Sequence, residues 1–118
     1  MLIDISYRNA GKTTRAIHWA AKDENRWIIA HSNQAARSIV DLADVYGLKE
    51  KIIGRVISIH MYESGYLMGK GKAEILLDNA DLILQWMFRN DIKGITLTQT
   101  SNKEDVKEYF YDVKDWDL

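Results

Sequence analysis

Residues 6–14 read Ser6-Tyr7-Arg8-Asn9-Ala10-Gly11-Lys12-Thr13-Thr14. An apolar run, Leu2-Ile3-Asp4-Ile5, leads in, and a helix-like stretch, Arg15-Ala16-Ile17-His18-Trp19-Ala20-Ala21, leads out. Strand, Gly-Lys-Thr turn and helix form the arrangement in which backbone N–H groups wrap phosphates, a lysine reaches the terminal ones and a threonine hydroxyl ligates Mg²⁺. The full spacing G-x-x-x-x-G-K-[ST] asks for glycine at position 6, where this chain has Ser6. Serine carries a Cβ, so a positive φ there requires a rearranged loop, whereas an extended conformation at a strand end costs little. The plainer alternative is a strand-to-helix turn in which Gly11 supplies a positive φ and Lys12 stands in solvent.

Outward from this loop, strand-like and helix-like patterns alternate. Arg26–His31 reads as a buried strand after the polar turn 22–25, and Ser32 or Asn33 caps a helix from Gln34 to about Tyr46, stopped by Gly47. The inner side of that helix carries Ala36, Ile39, Val40, Leu42, Ala43 and Tyr46. Arg55–His60 predicts a third strand, and Gly65, Gly69 and Gly71 mark a loop between Ser64 and Lys72. Ala73–Asp78 predicts a fourth strand, 82–88 a helix ending near Asn90, and Gly94–Thr98 a fifth strand. Ser101-Asn102-Lys103-Glu104 is a capping box that predicts a last, acidic helix over 101–118. The pattern predicts one α/β domain over residues 1–118, with a core over 1–100. The expected architecture is a three-layer sandwich, a mostly parallel five-stranded sheet with helices on both faces.

The fourth strand holds the second informative segment, Ile75-Leu76-Leu77-Asp78, followed by Asn79-Ala80-Asp81. An aspartate ending a buried strand can hold Mg²⁺ beside the loop threonine, and a glutamate at the next position would polarise an attacking water. Here that next residue is Asn79, which keeps hydrogen-bonding capacity but takes no proton. The plainer reading of Asp78 is a helix N-cap.

Composition bounds these readings. The chain has 118 residues, 47% of them hydrophobic, enough for a single core and unlike a disordered chain. A formal net charge of −1 excludes a bulk polycationic mode of nucleic-acid binding and leaves a local basic patch open. The absence of cysteine excludes disulfides and thiolate metal sites and fits a reducing cytoplasm. No apolar run has membrane-spanning length, and the N-terminal run reads as a strand, not a signal peptide.

The order of these motifs resembles the P-loop NTPase superfamily, in particular the ATPase core of phage terminase large subunits and of superfamily 1 and 2 helicases. The resemblance covers roughly residues 1–100 and rests on Arg8-x-x-Gly11-Lys12-Thr13-Thr14, the 75–81 box and Thr96-Leu97-Thr98-Gln99-Thr100. It implies ATP and Mg²⁺ as cofactors, held by a loop of Arg8, Asn9, Ala10, Gly11, Lys12, Thr13 and Thr14. It further implies Lys12 on the β- and γ-phosphates, Thr13 and Asp78 on the metal, Asn79 at the water-polarising position, and Thr98 or Gln99 as γ-phosphate sensor. The departures are Ser6, Asn79 and a length that leaves no room for a second lobe. Arg89 is the candidate for the arginine that such enzymes bring to the transition state, its plainer role being a solvated helix end.

Other candidates carry their ordinary alternatives. His18 and His31 are placed to meet nucleotide or substrate, or to be satisfied locally. Trp19, Trp27 and Trp86 read as core and Trp116 as an edge cover. Tyr62, Tyr66 and Lys70 in the glycine loop suit stacking on single-stranded nucleic acid, against the plainer role of a crossover loop. The last sixteen residues carry six acids against three lysines, which argues against contact with DNA there.

Together these readings predict a small, cytoplasmic, virus- or mobile-element-encoded ATP-binding protein with weak or partner-dependent ATP hydrolysis. In a virus its place would be the host-cell cytoplasm. Its expected partners are a nucleotide and a protein partner or a second copy; DNA is the less favoured partner, and no membrane is expected. The alternative is a nucleotide switch or protein-interaction module without hydrolysis. A small-molecule or nucleotide kinase ranks third, because an arginine-rich lid region is lacking.

Overall fold

A computed structural model of the chain describes residues 3–4, 11–96 and 109–110. They belong to two compact units, one formed by Thr13–Ile92 and the other by Met1–Lys12 with Lys93–Leu118.

The Thr13–Ile92 unit is built on β2 (Arg26–Ala30), which lies between β3 (Val56–Ser58) and β4 (Glu74–Leu77), all parallel. Trp27 to Ala30 are buried, so β2 is covered on both faces, as a central parallel strand must be. The period of two sorts its side chains. Ile28 and Ala30 join Ala16, Ile17 and Ala20 of α1 (Lys12–Ala21) and Ala36, Ile39 and Ala43 of α2 (Asn33–Val45) in one core. Ile52 of the short α3 (Lys49–Ile52) closes this core. Trp27 and Ile29 face the other way, packing with Ile57, with Ile59 of α4 (Ile59–Glu63) and with Ile83 of α5 (Ala80–Phe88). Two of the three buried residues of α2, Ala36 and Ala43, are alanines, which keep that face of the helix small. The unit is therefore α/β, with helices packed on both faces of a three-stranded parallel sheet.

Local chemistry sets the boundaries. The Ser32 hydroxyl accepts from the Ala35 N–H at 3.0 Å and starts α2. Gly47, at φ +71°, ends it, with Gly47 N–H donating to the Asp44 carbonyl and Leu48 N–H to the Ala43 carbonyl. Arg55 ties the far edge: its guanidinium donates to the carbonyls of Ala20, Asp23, Arg26 and Lys51, joining the end of α1, the start of β2 and α3.

In the other unit, β1 (Ile3–Asp4) pairs in parallel with β5 (Tyr109–Phe110). The acidic C-terminal stretch is expected to be helical, but at Tyr109–Phe110 it is a strand, because pairing with β1 satisfies that backbone through a segment distant in sequence. The remainder of the expected helix lies outside the described residues. Two further expectations change. The third strand stops at Ser58, because the buried Ser58 hydroxyl accepts from the Met61 N–H at 3.2 Å and turns Ile59 and His60 into α4. Residues 94–96 of the expected fifth strand form no strand, and Thr98 lies outside the described residues. Among the described residues no helix is long and apolar enough to cross a membrane.

Truncating Ile28, fully buried under α1 and α2, is expected to cost about 2–5 kcal/mol. Arg55→Met should cost about 1–3 kcal/mol by removing these charge-assisted bonds. Urea unfolding followed by circular dichroism checks both, and an unchanged midpoint for Arg55→Met would remove the clamp from the account.

Candidate functional site

All three strands of the sheet are parallel, so their carboxyl ends share one edge, the edge at which α/β sheets offer ligand sites. β2 runs into His31 and Ser32, and β4 into Asp78 and Asn79. The Asp78 N–H donates to the Ile29 carbonyl at 3.0 Å, which extends the ladder by one residue and fixes the aspartate at the strand end. Its residue is only 8% exposed. Thr13, in the first turn of α1, donates its hydroxyl to Asp78 Oδ2 at 3.2 Å, across 65 residues of sequence.

That contact has a chemical consequence. A hydroxyl has one proton and two lone pairs. With its proton directed at the carboxylate, Thr13 Oγ1 keeps its lone pairs for a cation, and the carboxylate beside it is a second hard oxygen donor. Mg²⁺ takes one or two protein oxygens and completes its shell with water and phosphate oxygens, so the pair suits Mg²⁺ carried by a phosphate chain. Among the described residues no group of three or more His, Cys, Asp or Glu is arranged to hold a metal.

A groove of about 410 Å³ opens beside the pair. Thr13, Asp78, Asn79 and His31 line it together with Ser38, Ile39 and Leu42 of α2. One turn beyond Leu42, the Tyr46 hydroxyl lies 3.3 Å from Thr14 Oγ1, and the Tyr46 and His18 rings are 6.0 Å apart. This wall is the contribution that the sequence reading missed. The helical stripe placed Ile39, Leu42 and Tyr46 together on the core side, whereas only Ile39 of the three is buried and Tyr46 is exposed.

The remaining expected residues fall as follows. Gly11 has φ +88°, the left-handed backbone that a glycine turn supplies, and Lys12 opens α1. Arg8, Asn9, Ala10, Thr98 and Gln99 lie outside the described residues, as does Ser6. Asp78 is not the cap of α5; the N-cap is Asn79, in the left-handed region at φ 55°, ψ 58°, with no capping side-chain bond. Arg89 is the C-cap of the same helix, also left-handed at φ 56° and exposed. Trp27 is buried, with Lys70 Nζ 5.1 Å above its ring and Tyr66 6.0 Å away edge-on. Both loop side chains thus spend a face on core packing. Trp19 and Trp86 are half-buried, Trp86 against His60 at 4.2 Å.

Asn79 gains a physical reason from this geometry. Asparagine is among the few residues with a Cβ that enter the left-handed region readily. A glutamate at this position would meet a strained backbone before any question of catalysis.

Comparison of the chain with protein-family models, with curated proteins and with solved structures finds no match.

Asn79→Gly should leave stability unchanged or raise it slightly, while Asn79→Glu should lower it by about 1 kcal/mol. Chemical denaturation of the two variants beside the native chain measures the difference; equal midpoints for Gly and Glu would mean that the backbone does not select the residue here.

Proposed function

We propose that this chain is a small P-loop ATP-binding protein whose ATP hydrolysis is weak or depends on a partner, working in the nucleic-acid transactions of a virus or mobile element. The observation that carries the reading is the 3.2 Å approach of Thr13 to Asp78, the two residues that the motif pattern pairs as metal ligands. Their pairing at the carboxyl edge of a parallel sheet is what a phosphate-bound Mg²⁺ requires. In this reading residues Arg8 to Thr14 wrap the phosphates and Lys12 neutralises the β- and γ-phosphates. Thr13 and Asp78 hold the metal, and Thr98 or Gln99 senses the γ-phosphate.

The finer architecture belongs to the same proposal: one mostly parallel five-stranded sheet between helical layers, of P-loop type. It is supported by the parallel sense of every strand pairing among the described residues. The exposed apolar side chains of Ile75 and Leu77 on the edge strand β4 also support it.

Asn79 favours a second reading, a nucleotide switch that binds without hydrolysing. An amide cannot accept the proton of an attacking water, so turnover by the isolated chain should be slow.

Calorimetry with Mg-ATP, followed by phosphate release, separates the readings. Lys12→Ala is expected to weaken Mg-ATP binding at least about tenfold, the loss of roughly one charge-assisted contact. Asp78→Ala should abolish the dependence of binding on Mg²⁺. Binding with no phosphate release selects the switch, and release that rises with Asn79→Glu selects the weak ATPase. Failure of the native chain to bind millimolar Mg-ATP would end both.

A further inference from the structure

Hydrolysis at the Thr13–Asp78 pair needs a group that takes a proton from the attacking water, and the residue after Asp78 is an amide that cannot. The other side chains lining the same groove can be sorted by what they accept. Gln34 is a second amide, and Thr13, Ser32 and Ser38 are hydroxyls; both kinds accept hydrogen bonds but take up no proton near neutral pH. The Ser32 hydroxyl is in addition engaged with the Ala35 N–H. The Asp78 carboxylate accepts from the Thr13 hydroxyl and, in the nucleotide reading, is a metal ligand. Among the described residues that line the groove, this leaves His31, whose imidazole is the side chain most often used for proton transfer.

The sheet fixes where His31 stands. Ile29 of β2 pairs with Leu77 of β4, and the Asp78 N–H donates to the Ile29 carbonyl. The two neighbouring strands therefore leave the sheet in step, with His31 two residues past Ile29 and Asn79 two residues past Leu77. Its own backbone is held on both sides, by the buried Ala30 before it and by the Ser32 cap of α2 after it. The residue is half-buried.

We propose that His31 is the proton acceptor for the water that attacks the terminal phosphate at this site. The water oxygen forms a bond to the γ-phosphorus, and the bond from that phosphorus to the β,γ-bridging oxygen breaks. One water proton passes to the His31 imidazole, ADP leaves with the electron pair of the broken bond, and the imidazolium then returns its proton to phosphate or solvent. Asn79 orients the same water through a hydrogen bond without taking its proton. The inference rests on the ATPase reading above and adds to it the residue that carries the proton.

Mg-ATP calorimetry and phosphate release, measured on the full chain, compare the native protein with His31→Gln. The variant should keep its Mg-ATP affinity within about twofold of native and lose phosphate release at least about tenfold. His31→Asn takes its place if the first variant does not give the native far-ultraviolet dichroism and melting transition. Nuclear magnetic resonance of the three histidine rings supplies a readout apart from turnover. On addition of Mg²⁺ with the non-hydrolysable imido analogue of ATP, the His31 ring signal, identified by its loss in the variant, should shift. The signal of His60, against Trp86 at 4.2 Å and outside the groove lining, should stay in place. Phosphate release within about twofold of native in a folded variant overturns the inference and leaves the ATPase reading standing. An unshifted His31 ring with the analogue bound does the same. Equal losses of binding and release also overturn it, because His31 then only holds the nucleotide. If the native chain binds Mg-ATP and releases no phosphate, the switch reading stands and the inference falls. If the native chain does not bind Mg-ATP, the nucleotide reading falls and takes the inference with it.

Discussion

The structure depends on the burial of one strand. β2 has apolar side chains on both faces, and neither face can be left to water. Covering Ile28 and Ala30 recruits α1, α2 and α3, while covering Trp27 and Ile29 recruits α4 and α5. Each fully buried isoleucine in this arrangement contributes roughly 1.5–3 kcal/mol of transfer free energy. Because β3 and β4 must both pair with this strand in parallel, every connection returns to the same starting edge, and every carboxyl end arrives at the opposite one. The location of the site follows from that constraint.

At that edge the chain solves the same local problem at three strand ends in two ways. The ends of β2 and β3 run into serines whose hydroxyls cap the following helix, Ser32 for α2 and Ser58 for α4. The end of β4 does not. The Asp78 carboxylate accepts from the Thr13 hydroxyl, and the capping position passes to Asn79, which makes the turn by backbone conformation and not by a side-chain bond. A side-chain cap is worth about 1 kcal/mol, and α5 forgoes it at Asn79. The most informative strand end is thus the one that departs from the pattern of its neighbours.

The departure at Asn79 carries two meanings that the amino-acid string alone cannot separate. In the language of motifs it is a missing glutamate and a reason for slow hydrolysis. In backbone terms it is one of the few side chains suited to φ 55°. The two combine: restoring a carboxylate there works against the local conformation, so the chemistry of water activation and the geometry of the strand-to-helix turn are coupled at a single residue.

Much of the Thr13–Ile92 unit was legible in the sequence because it rests on short-range rules. Apolar runs gave the three strands, Ser32 and Gly47 bounded α2, and Gly-Lys-Thr after an apolar run and before a helix marked the start of α1. Thr13 and Asp78 were named from motif chemistry and lie in hydrogen-bond contact. One error has a local cause and the other a distant one. Ser58 turned the end of a β-prone run into helix, and Tyr109–Phe110 took a strand partner in β1 where a capping box upstream favoured helix. The sequence by itself determined which residues could form strands, caps and metal ligands, since those properties reside in side chains and their immediate neighbours. Only the tertiary structure decided that Thr13 meets Asp78, that Asn79 is left-handed and that α2 walls a groove, because each depends on packing two faces of β2 at once, a condition that no local window of sequence contains.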